Sequence, residues 1–363
     1  MIDAGAQTMT HRIAVIPGDG IGVEVIREAT RLLELVSSRR GLDLQLWQLD
    51  LGAERFLRDG VTMPPAVFEE IRDTCSAILM GAVGDPRVPS NQHAIDILFG
   101  FRFGLDLFAN IRPVRCLDDR LSPLKHFGAK EIDFVIFREN TEGLYVNVGG
   151  QVRRGTPQEI AINEDVNTRM GVERIIRAAF EHAKGHGLKR VHMADKSNAM
   201  RHAHELWLRV FREVAKEYPG IEAVHAYVDA LAMYMVQDPS QMQVIVTCNL
   251  FGDILTDIGA ALQGGLGLAG SASVHAAGRI ALFEPVHGSA PPLAGKDMAN
   301  PFASFLTAGL LLRHLGYAEL DGLIEGAVRE SLAARECTKD VGGAMGTRAA
   351  AEACLARVAK ALG

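Results

Sequence analysis

The sequence Asn249-Leu250-Phe251-Gly252-Asp253-Ile254-Leu255-Thr256-Asp257 decides how the rest of the chain is interpreted. It follows an apolar run at 244–248 that predicts a buried strand, and it leads into a helical pattern. Asp253 and Asp257 are four residues apart, so their carboxylates project from one face of the predicted helix. Two like charges placed so close repel each other unless a cation or a proton lies between them. The simpler alternative is one acid favoured by the helix dipole and a second acid exposed to solvent.

A third acid, Asp229, stands where another apolar strand gives way to a helix. Three carboxylates at strand ends can form the oxygen-only site that suits Mg²⁺ or Mn²⁺. The sequence therefore offers a metal site as the alternative to unrelated surface acids.

Composition limits the classes of protein that need to be considered. The chain has 363 residues, of which 48% are hydrophobic, which is enough for a large core and for two lobes. The formal charge of −6 and the lack of a basic patch argue against nucleic acid and anionic membranes as partners. No apolar run approaches the ~20 residues of a transmembrane span. The start of the chain is polar and lacks the pattern of a signal peptide.

Five cysteines are scattered along the chain without a CxxC pair or a zinc-binding spacing. They are Cys75, Cys116, Cys248, Cys337 and Cys354. This usage predicts reduced core residues of a cytoplasmic protein.

The turn Pro17-Gly18-Asp19-Gly20-Ile21-Gly22 joins a short apolar strand to a helical pattern, as in dinucleotide-binding folds. The fingerprint G-x-G-x-x-G requires a further glycine at position 23 or 25, and both positions hold valine. A phosphate-loop lysine is also missing. The turn therefore predicts a tight strand-to-helix connection and not the standard pyrophosphate cradle.

Strand and helix patterns alternate along most of the chain, which predicts an α/β protein with a parallel sheet covered on both sides. The segment 145–166 differs, because it is rich in glycine and polar residues and has no helical period. It predicts a protruding hairpin or arm, and an arm of this kind usually needs a partner chain to cover it. Since no low-complexity linker is present, we expect the chain to cross twice between two lobes.

Three arginines, Arg102, Arg112 and Arg138, lie on or beside apolar elements, where an unpaired guanidinium is costly. Each one alone is explained by a structural ion pair. Together, and beside a metal held by carboxylates, they indicate a pocket for an acid with several carboxylate groups. Tyr145 and Lys196 could transfer protons there, although each taken separately is more often a surface residue.

Five motifs in order resemble those of one known family, the metal-dependent, NAD(P)-linked β-decarboxylating dehydrogenases. This family comprises 3-isopropylmalate, isocitrate, homoisocitrate, D-malate and tartrate dehydrogenases. The motifs are Pro17-Gly18-Asp19-Gly20-Ile21-Gly22, Arg138-Glu139-Asn140-Thr141-Glu142-Gly143-Leu144-Tyr145, Asp195-Lys196-Ser197-Asn198, the opening Asn249–Asp257 stretch, and Glu284-Pro285-Val286-His287-Gly288-Ser289-Ala290-Pro291. The resemblance covers nearly the whole chain. It also accounts for the missing dinucleotide fingerprint, since this family binds its nucleotide through a different α/β fold.

The resemblance implies a two-lobed α/β fold of the isopropylmalate dehydrogenase type, with a mixed, largely parallel sheet and a dimerisation arm. A large nucleotide-binding lobe is expected at 1–107 plus 264–363. A small lobe is expected at 108–263, carrying the dimer interface and the arm at about 145–166.

The resemblance also assigns roles to individual residues. It implies that Asp229, Asp253 and Asp257 bind Mg²⁺ or Mn²⁺, that Arg102, Arg112 and Arg138 bind the substrate carboxylates, and that Asn198, His287, Gly288, Ser289, Ala290, Asn300 and Asp340 contact the nucleotide. In this family the residues matching Lys196 and Asp229 reach in from the neighbouring subunit. The resemblance therefore implies a homodimer with shared active sites.

The chemistry implied by the resemblance begins with a metal ion that chelates the C2 hydroxyl and its carboxylate while Lys196 takes the hydroxyl proton. Hydride passes to the nicotinamide, the resulting β-keto acid loses CO₂, and Tyr145 protonates the enolate. Positioned acid–base groups typically contribute ~10²–10⁴-fold each to the rate.

The family's substrates differ in the group that meets the segment before Arg102, which here contains Ile95, Asp96, Ile97 and Leu98. Leu98 suits an isopropyl group, whereas Asp96 would repel a third carboxylate if it pointed inward. We therefore expect 3-isopropylmalate, with D-malate or tartrate as the alternative and isocitrate or homoisocitrate disfavoured. A single methyl group in an apolar pocket changes selectivity by only ~1–3 kcal/mol, so the first two alternatives stay open.

The cofactor assignment depends on positions where the chain departs from the family. NAD-using members carry an acid after Ala-Pro, but here the residue is Pro292, and the Lys-Tyr pair of NADP-using members is replaced by Pro292-Leu293. The run at 338–343 resembles the NAD branch, so we expect NAD, with NADP open because Lys339 could meet a 2′-phosphate. A catalytically silent regulatory subunit would be expected to lose one of the key side chains, and all of them are present.

Overall fold

The structure is a computed structural model that describes residues 9–275, 278 and 280–363. Residues 1–8, which begin the polar N-terminal stretch noted above, lie outside this range. Within the described chain, no helix has both the length and the apolar character needed to span a membrane.

Strands and helices alternate along the described chain. The strands are β1 (His11–Ile16), β2 (Leu44–Gln48), β3 (Ala77–Met80), β4 (Ala109–Arg115), β5 (Asp133–Glu139), β6 (Gly149–Val152), β7 (Ile160–Asn163), β8 (Arg190–Asp195), β9 (Glu222–Tyr227), β10 (Val244–Thr247), β11 (Gly270–Val274) and β12 (Ala281–Pro285). The helices are α1 (Gly22–Arg40), α2 (Ala53–Asp59), α3 (Pro65–Thr74), α4 (Gln92–Gly104), α5 (Arg169–Gly185), α6 (Ala203–Ala215), α7 (Val228–Gln237), α8 (Asn249–Leu262), α9 (Phe302–His314), α10 (Ala318–Ala333) and α11 (Thr347–Leu362).

The chain divides into two compact units. The first unit consists of Met1–Leu105 and Gly264–Gly363, and the second consists of Asp106–Gln263. The chain therefore leaves the first unit once and returns to it once.

The first unit is built on five strands in the order β2-β1-β3-β12-β11. All neighbours are parallel except β11 and β12, which run antiparallel. Ile13 to Ile16 in β1 and Ala77 to Met80 in β3 are buried, as expected for strands covered on both faces. Helix α9 packs on β11 and β12 and also contacts α1 and α10.

The second unit has five strands in the order β4-β5-β10-β8-β9, of which only the β4–β5 pair is antiparallel. Successive side chains of a strand point to opposite faces. Phe134 and Ile136 of β5 accordingly join a core with residues of α7 and α8, while Phe137 contacts His182 of α5 on the other face. The predicted α/β class with a mixed, largely parallel sheet is confirmed.

Strands β6 and β7 form a separate antiparallel hairpin, in which every residue is exposed. Its exposed apolar side chains include those of Val152, Ile160 and Ile162, and the exposed Val148 directly precedes β6. The hairpin predicted within 145–166 is therefore present, and it exposes apolar side chains.

The glycine turn after β1 is a tight strand-to-helix connection, as the sequence predicted. Gly20 has a φ of +56°, and a Cβ there would overlap the backbone oxygen of Ser289, so no larger residue fits. Asp19 accepts hydrogen bonds from the backbone N–H groups of Ala53 and Gly84, both at 2.7 Å, and lies 2.8 Å from His93 Nε2. The buried Asp19 carboxylate thus connects the turn to the start of α2, to the loop at Gly84 and to α4.

All five cysteines are buried and reduced, as the sequence predicted. Burial raises the pKa of the Cys248 and Cys354 thiols to about 12. These thiols therefore stay protonated and unreactive at neutral pH.

Candidate active site

The stretch that opens α8 places Asp253 and Asp257 on the face of the helix that the core does not use. The buried face of α8 is formed by Gly252, Leu255 and Thr256, together with Gly259. Asp257 is exposed, and 44% of the surface of the Asp253 side chain is accessible to solvent. The predicted helix and the i, i+4 arrangement of the two carboxylates are thus both present.

Arg138 lies at the carboxyl end of β5 with only 2% of its surface exposed. Its Nη1 donates to Asp253 Oδ1 at 2.5 Å, while Nε and Nη2 both donate to Asn249 Oδ1 at 3.0 and 2.8 Å. A buried guanidinium is stable only when its donors are satisfied, and a carboxylate and an amide do so here. The Arg138 plane is consequently fixed against the first turn of α8.

Arg112 approaches the same carboxylate from β4. Its Nε donates to Asn110 Oδ1 at 2.7 Å and its Nη1 to Thr256 Oγ1 at 2.6 Å, which leaves Nη2 3.9 Å from Asp253 Oδ1. Asn110 and Arg112 are two residues apart on a strand and so share a face. Two nearly buried guanidinium groups therefore approach one carboxylate, that of Asp253.

Tyr145 completes this cluster. It lies in the short turn Leu144–Val146, and its hydroxyl donates to Asp253 Oδ2 at 3.0 Å. The guanidinium carbon of Arg138 lies 5.3 Å from the centre of the tyrosine ring, within the range of a cation–π contact. The structure thus brings four predicted site residues together, namely Arg112, Arg138, Tyr145 and Asp253.

Lys196 and Asp229 form a second cluster in the same unit. Lys196 follows β8, Asp229 lies in the first turn of α7, and the two are joined at 2.6 Å between Nζ and Oδ1. The hydrogen bond from Lys196 lowers the pKa of the Asp229 carboxyl, which keeps it ionised. Across the described residues, no three His, Cys, Asp or Glu side chains lie close enough to hold a metal ion. The three predicted metal ligands are therefore not assembled by these residues of one chain.

Arg102 and Leu98 belong to the first unit, one helical turn apart on α4. Arg102 is nearly buried, and its Nη2 donates to Glu284 Oε1 at 3.1 Å. Nearby on the same helix, Gln92 Nε2 donates to Asp96 Oδ1 at 2.6 Å. Arg102 therefore has an ion-pair partner, as expected for a buried arginine with a purely structural role.

The predicted nucleotide residues lie in the first unit, apart from Asn198, which is exposed in the second. The loop that follows β12 contains His287, whose Nδ1 lies 3.1 Å from the Gly288 oxygen. Its Nε2 is buried and has no hydrogen-bond partner within the described part of the chain. Burial lowers the pKa of His287, so the ring is neutral. A neutral imidazole with one unsatisfied nitrogen is suited to a hydrogen bond with a bound molecule.

Further along the same unit, Asn300 Nδ2 donates to Asp340 Oδ2 at 2.9 Å, and Thr338 Oγ1 donates to Asp340 Oδ1 at 2.5 Å. These contacts orient two of the predicted nucleotide residues. Ser289 and Ala290 are half-buried beside the exposed Gly288, which has open space around it.

Several side chains that orient the site were not predicted. Asn249 could have been identified because it begins the motif at 249–257. Asn110 could have been identified because it lies two residues before Arg112 on the same strand and therefore shares its face. Glu284 gives no such signal, because its contact with Arg102 joins positions 182 residues apart.

Comparison with known proteins shows which proteins this chain is similar to. A family model described as isocitrate/isopropylmalate dehydrogenase matches residues 12–355. A 3-isopropylmalate dehydrogenase of Thermobifida fusca is 46% identical over 90% of this chain and 92% of its own length, and one of Streptomyces griseus is 44% identical over 93% and 98%. A crystal structure of isocitrate dehydrogenase from Methylococcus capsulatus superposes with a TM-score of 0.87 at 36% identity, covering 96% of this chain and 99% of the other.

The fold and these matches define the class as decarboxylating dehydrogenases acting on hydroxy acids. The chain belongs to the isocitrate/isopropylmalate dehydrogenase family, and it is a decarboxylating dehydrogenase.

Proposed function

We propose that this protein carries out the NAD-linked, divalent-metal-dependent oxidative decarboxylation of 3-isopropylmalate in the cytoplasm. The observation that carries the proposal is the Asp253 carboxylate, held between Arg138 and the Tyr145 hydroxyl. In this proposal, Arg138 binds an anion, Asp253 binds the metal and Tyr145 donates a proton, and the three lie in one cluster. The relatives named 3-isopropylmalate dehydrogenase support the choice of substrate.

The donor set fits Mg²⁺ or Mn²⁺. Asp253 and Asp257 offer carboxylate oxygens, which are the ligands that these cations prefer, and no histidine or cysteine competes in the motif. Because one chain does not bring a third acid to them among its described residues, we propose that Asp229 of a second copy completes the site. A homodimer follows from this proposal.

When bound, a divalent cation there would acidify a chelated hydroxyl and draw electrons from the ketone formed from it. Lys196, oriented by Asp229, accepts the hydroxyl proton, and Tyr145 donates a proton to the carbon that loses CO₂. Arg102, Arg112 and Arg138 bind the substrate carboxylates through their forked donors. Hydrogen bonds to Asn110 and Asn249 keep the guanidinium groups of Arg112 and Arg138 oriented before substrate arrives.

We propose that NAD binds in the first unit, against His287, Gly288, Ser289 and Ala290, with Asn300, Asp340 and Asn198 as further contacts. The neutral, unsatisfied His287 supports this assignment. Leu98 contacts the isopropyl group, and D-malate or tartrate remains the alternative substrate if that contact contributes little.

The test is a spectrophotometric screen of 3-isopropylmalate, D-malate, tartrate and isocitrate. Each is assayed with NAD and with NADP, in Mn²⁺ and in EDTA. We expect Mn²⁺-dependent reduction of NAD with 3-isopropylmalate and its loss in EDTA. Faster turnover of isocitrate would refute the assignment of Leu98, and turnover undiminished by EDTA would refute the metal site.

A further inference from the structure

The backbone of Lys196 is held by a histidine from the next helix. The Lys196 N–H donates to His204 Nδ1 at 3.1 Å, and His204 is 1% exposed in the first turn of α6. Its ring lies against Phe251, with centroids 5.2 Å apart. Because Nδ1 accepts this hydrogen bond, it carries no proton, and the proton of the neutral ring is on Nε2.

The other side of the His204 ring faces an acid. His204 Nε2 lies 3.5 Å from Asp165 Oδ2, and neither atom has a hydrogen-bond partner among the residues that the structure describes. A carboxylate opposite Nε2 favours a proton on that nitrogen, which keeps Nδ1 free to accept. One turn later, Trp207 Nε1 donates to Asn167 Oδ1 at 2.8 Å, so a hydrogen bond also joins α6 to the segment that follows the hairpin.

We propose that His204, with Asp165 behind it, is a positioning residue for Lys196. By fixing the main chain at Lys196, it holds the side chain in the direction that brings Nζ to Asp229 at 2.6 Å. His204 takes no part in proton transfer to substrate. The proposal rests on the assignment of Lys196 as the base in the proposed function.

The test compares two substitutions that share the loss of the imidazole. His204→Phe keeps an aromatic ring beside Phe251 but removes the acceptor, whereas His204→Asn places an amide oxygen near the position of Nδ1 and restores it. His202→Phe, on the exposed position two residues earlier, is the matched control. Each variant is measured for its melting temperature, for kcat and KM, and for the rate at which limiting acetic anhydride modifies Lys196, followed by mass spectrometry.

We expect His204→Phe to lower kcat by roughly 10-fold with KM for the hydroxy acid unchanged, since a small misplacement of a reacting group is costly. Lys196 should be acetylated about threefold faster as its loop opens. His204→Asn and His202→Phe should remain close to the unsubstituted protein in both measurements. Equal behaviour of the Phe and Asn variants at position 204 would overturn the proposal, whatever their melting temperatures.

The acetylation rate separates this proposal from the proposed function, because it needs no turnover. If the unsubstituted protein reduces no nucleotide, the proposed function fails. In that case, faster acetylation in His204→Phe, and not in His204→Asn, would still support the role of His204 in holding Lys196. Unchanged acetylation would reject that role.

Discussion

At the scale of single residues, the site depends on buried charges whose partners fix their orientation. Arg138 makes three donor contacts with two partners, Asn249 and Asp253, and it is almost inaccessible to solvent. A lysine at this position would keep the charge but could not reproduce the fork. The geometry of the guanidinium, and not only its charge, is therefore expected to matter.

We predict that Arg138→Lys lowers kcat/KM by roughly 10²-fold, because substrate and Asp253 would no longer be oriented by a planar fork. Steady-state kinetics with the best substrate from the screen measures this. Arg115→Lys is the control and should leave the kinetics unchanged, since Arg115 is exposed at the end of β4 and pairs with the exposed Asp133 of β5. Equal kinetics for the two variants would contradict the role given to Arg138.

His192 in β8 gives a prediction about pH and stability. Burial, the largest cause, lowers the pKa of His192 from its ordinary 6.5 to about 4, and the nearby charge of Arg190 adds to this effect. Between about pH 4 and pH 6.5, His192 therefore binds a proton in the unfolded chain but not in the folded protein. The free energy of unfolding therefore falls as pH decreases from 6.5 towards 4, by ~3 kcal/mol from this group if each pKa unit contributes about 1.4 kcal/mol.

We predict that His192→Leu removes this part of the pH dependence, measured by urea unfolding at several pH values between 4 and 6.5. His202→Leu should keep the slope of the unsubstituted protein, because His202 is exposed. The same slope in both variants would show that His192 does not cause the acid sensitivity.

At the scale of elements, helix α8 contains a glycine that lowers its intrinsic stability but leaves room for the side chain of Arg138. Gly252 lies inside α8, where alanine would normally be favoured by about 0.5–1 kcal/mol. A Cβ at this position would overlap the Cγ of Arg138. The glycine is thus required by the arginine that packs across the helix.

We predict that Gly252→Ala reduces both the free energy of unfolding and kcat/KM, because Arg138 must move away. Gly326→Ala in α10 is the matched control, since a Cβ there meets nothing within 4 Å, and it should stabilise the protein by about 0.5–1 kcal/mol. Chemical denaturation and kinetics measure the two effects. A stabilising Gly252→Ala with full activity would show that Arg138 does not pack against position 252.

The elements could be predicted from sequence because their signals are local. The apolar run before Asn249 and the spacing of Asp253 and Asp257 were enough to predict β10 and α8. The glycine turn was correctly distinguished from a dinucleotide fingerprint by two valines. The partners of the arginines could not be predicted, since Glu284 and Thr256 reach Arg102 and Arg112 only through the tertiary fold. His204 gave no signal either, because nothing in its own neighbourhood marks it as an acceptor for Lys196.

At the scale of the whole molecule, the proposed site needs two copies of the chain. Lys196 and Asp229 form one cluster and Asp253 with Arg138 forms another, and the described residues hold no three-acid group. Under this proposal, each active site combines the first cluster of one copy with the second cluster of the other. The exposed apolar residues of the hairpin provide a surface through which the copies could associate.

We predict that Lys196→Ala and Asp253→Asn are each inactive, but that mixing them after mild dissociation restores about a quarter of the activity. Random pairing makes half of the dimers mixed, and each mixed dimer has one intact site out of two. The measurement is turnover after remixing, with each variant remixed with itself as the control. No recovery from the mixture, although mixed dimers form, would contradict a shared site.

The burial of every cysteine has a practical consequence for studying association. Since the protein presents no accessible thiol, a single cysteine introduced at the exposed Gln158 between β6 and β7 would be the only site for a maleimide dye. Energy transfer between donor- and acceptor-labelled molecules would then test whether the hairpins of two copies associate, with the native sulfur chemistry left intact.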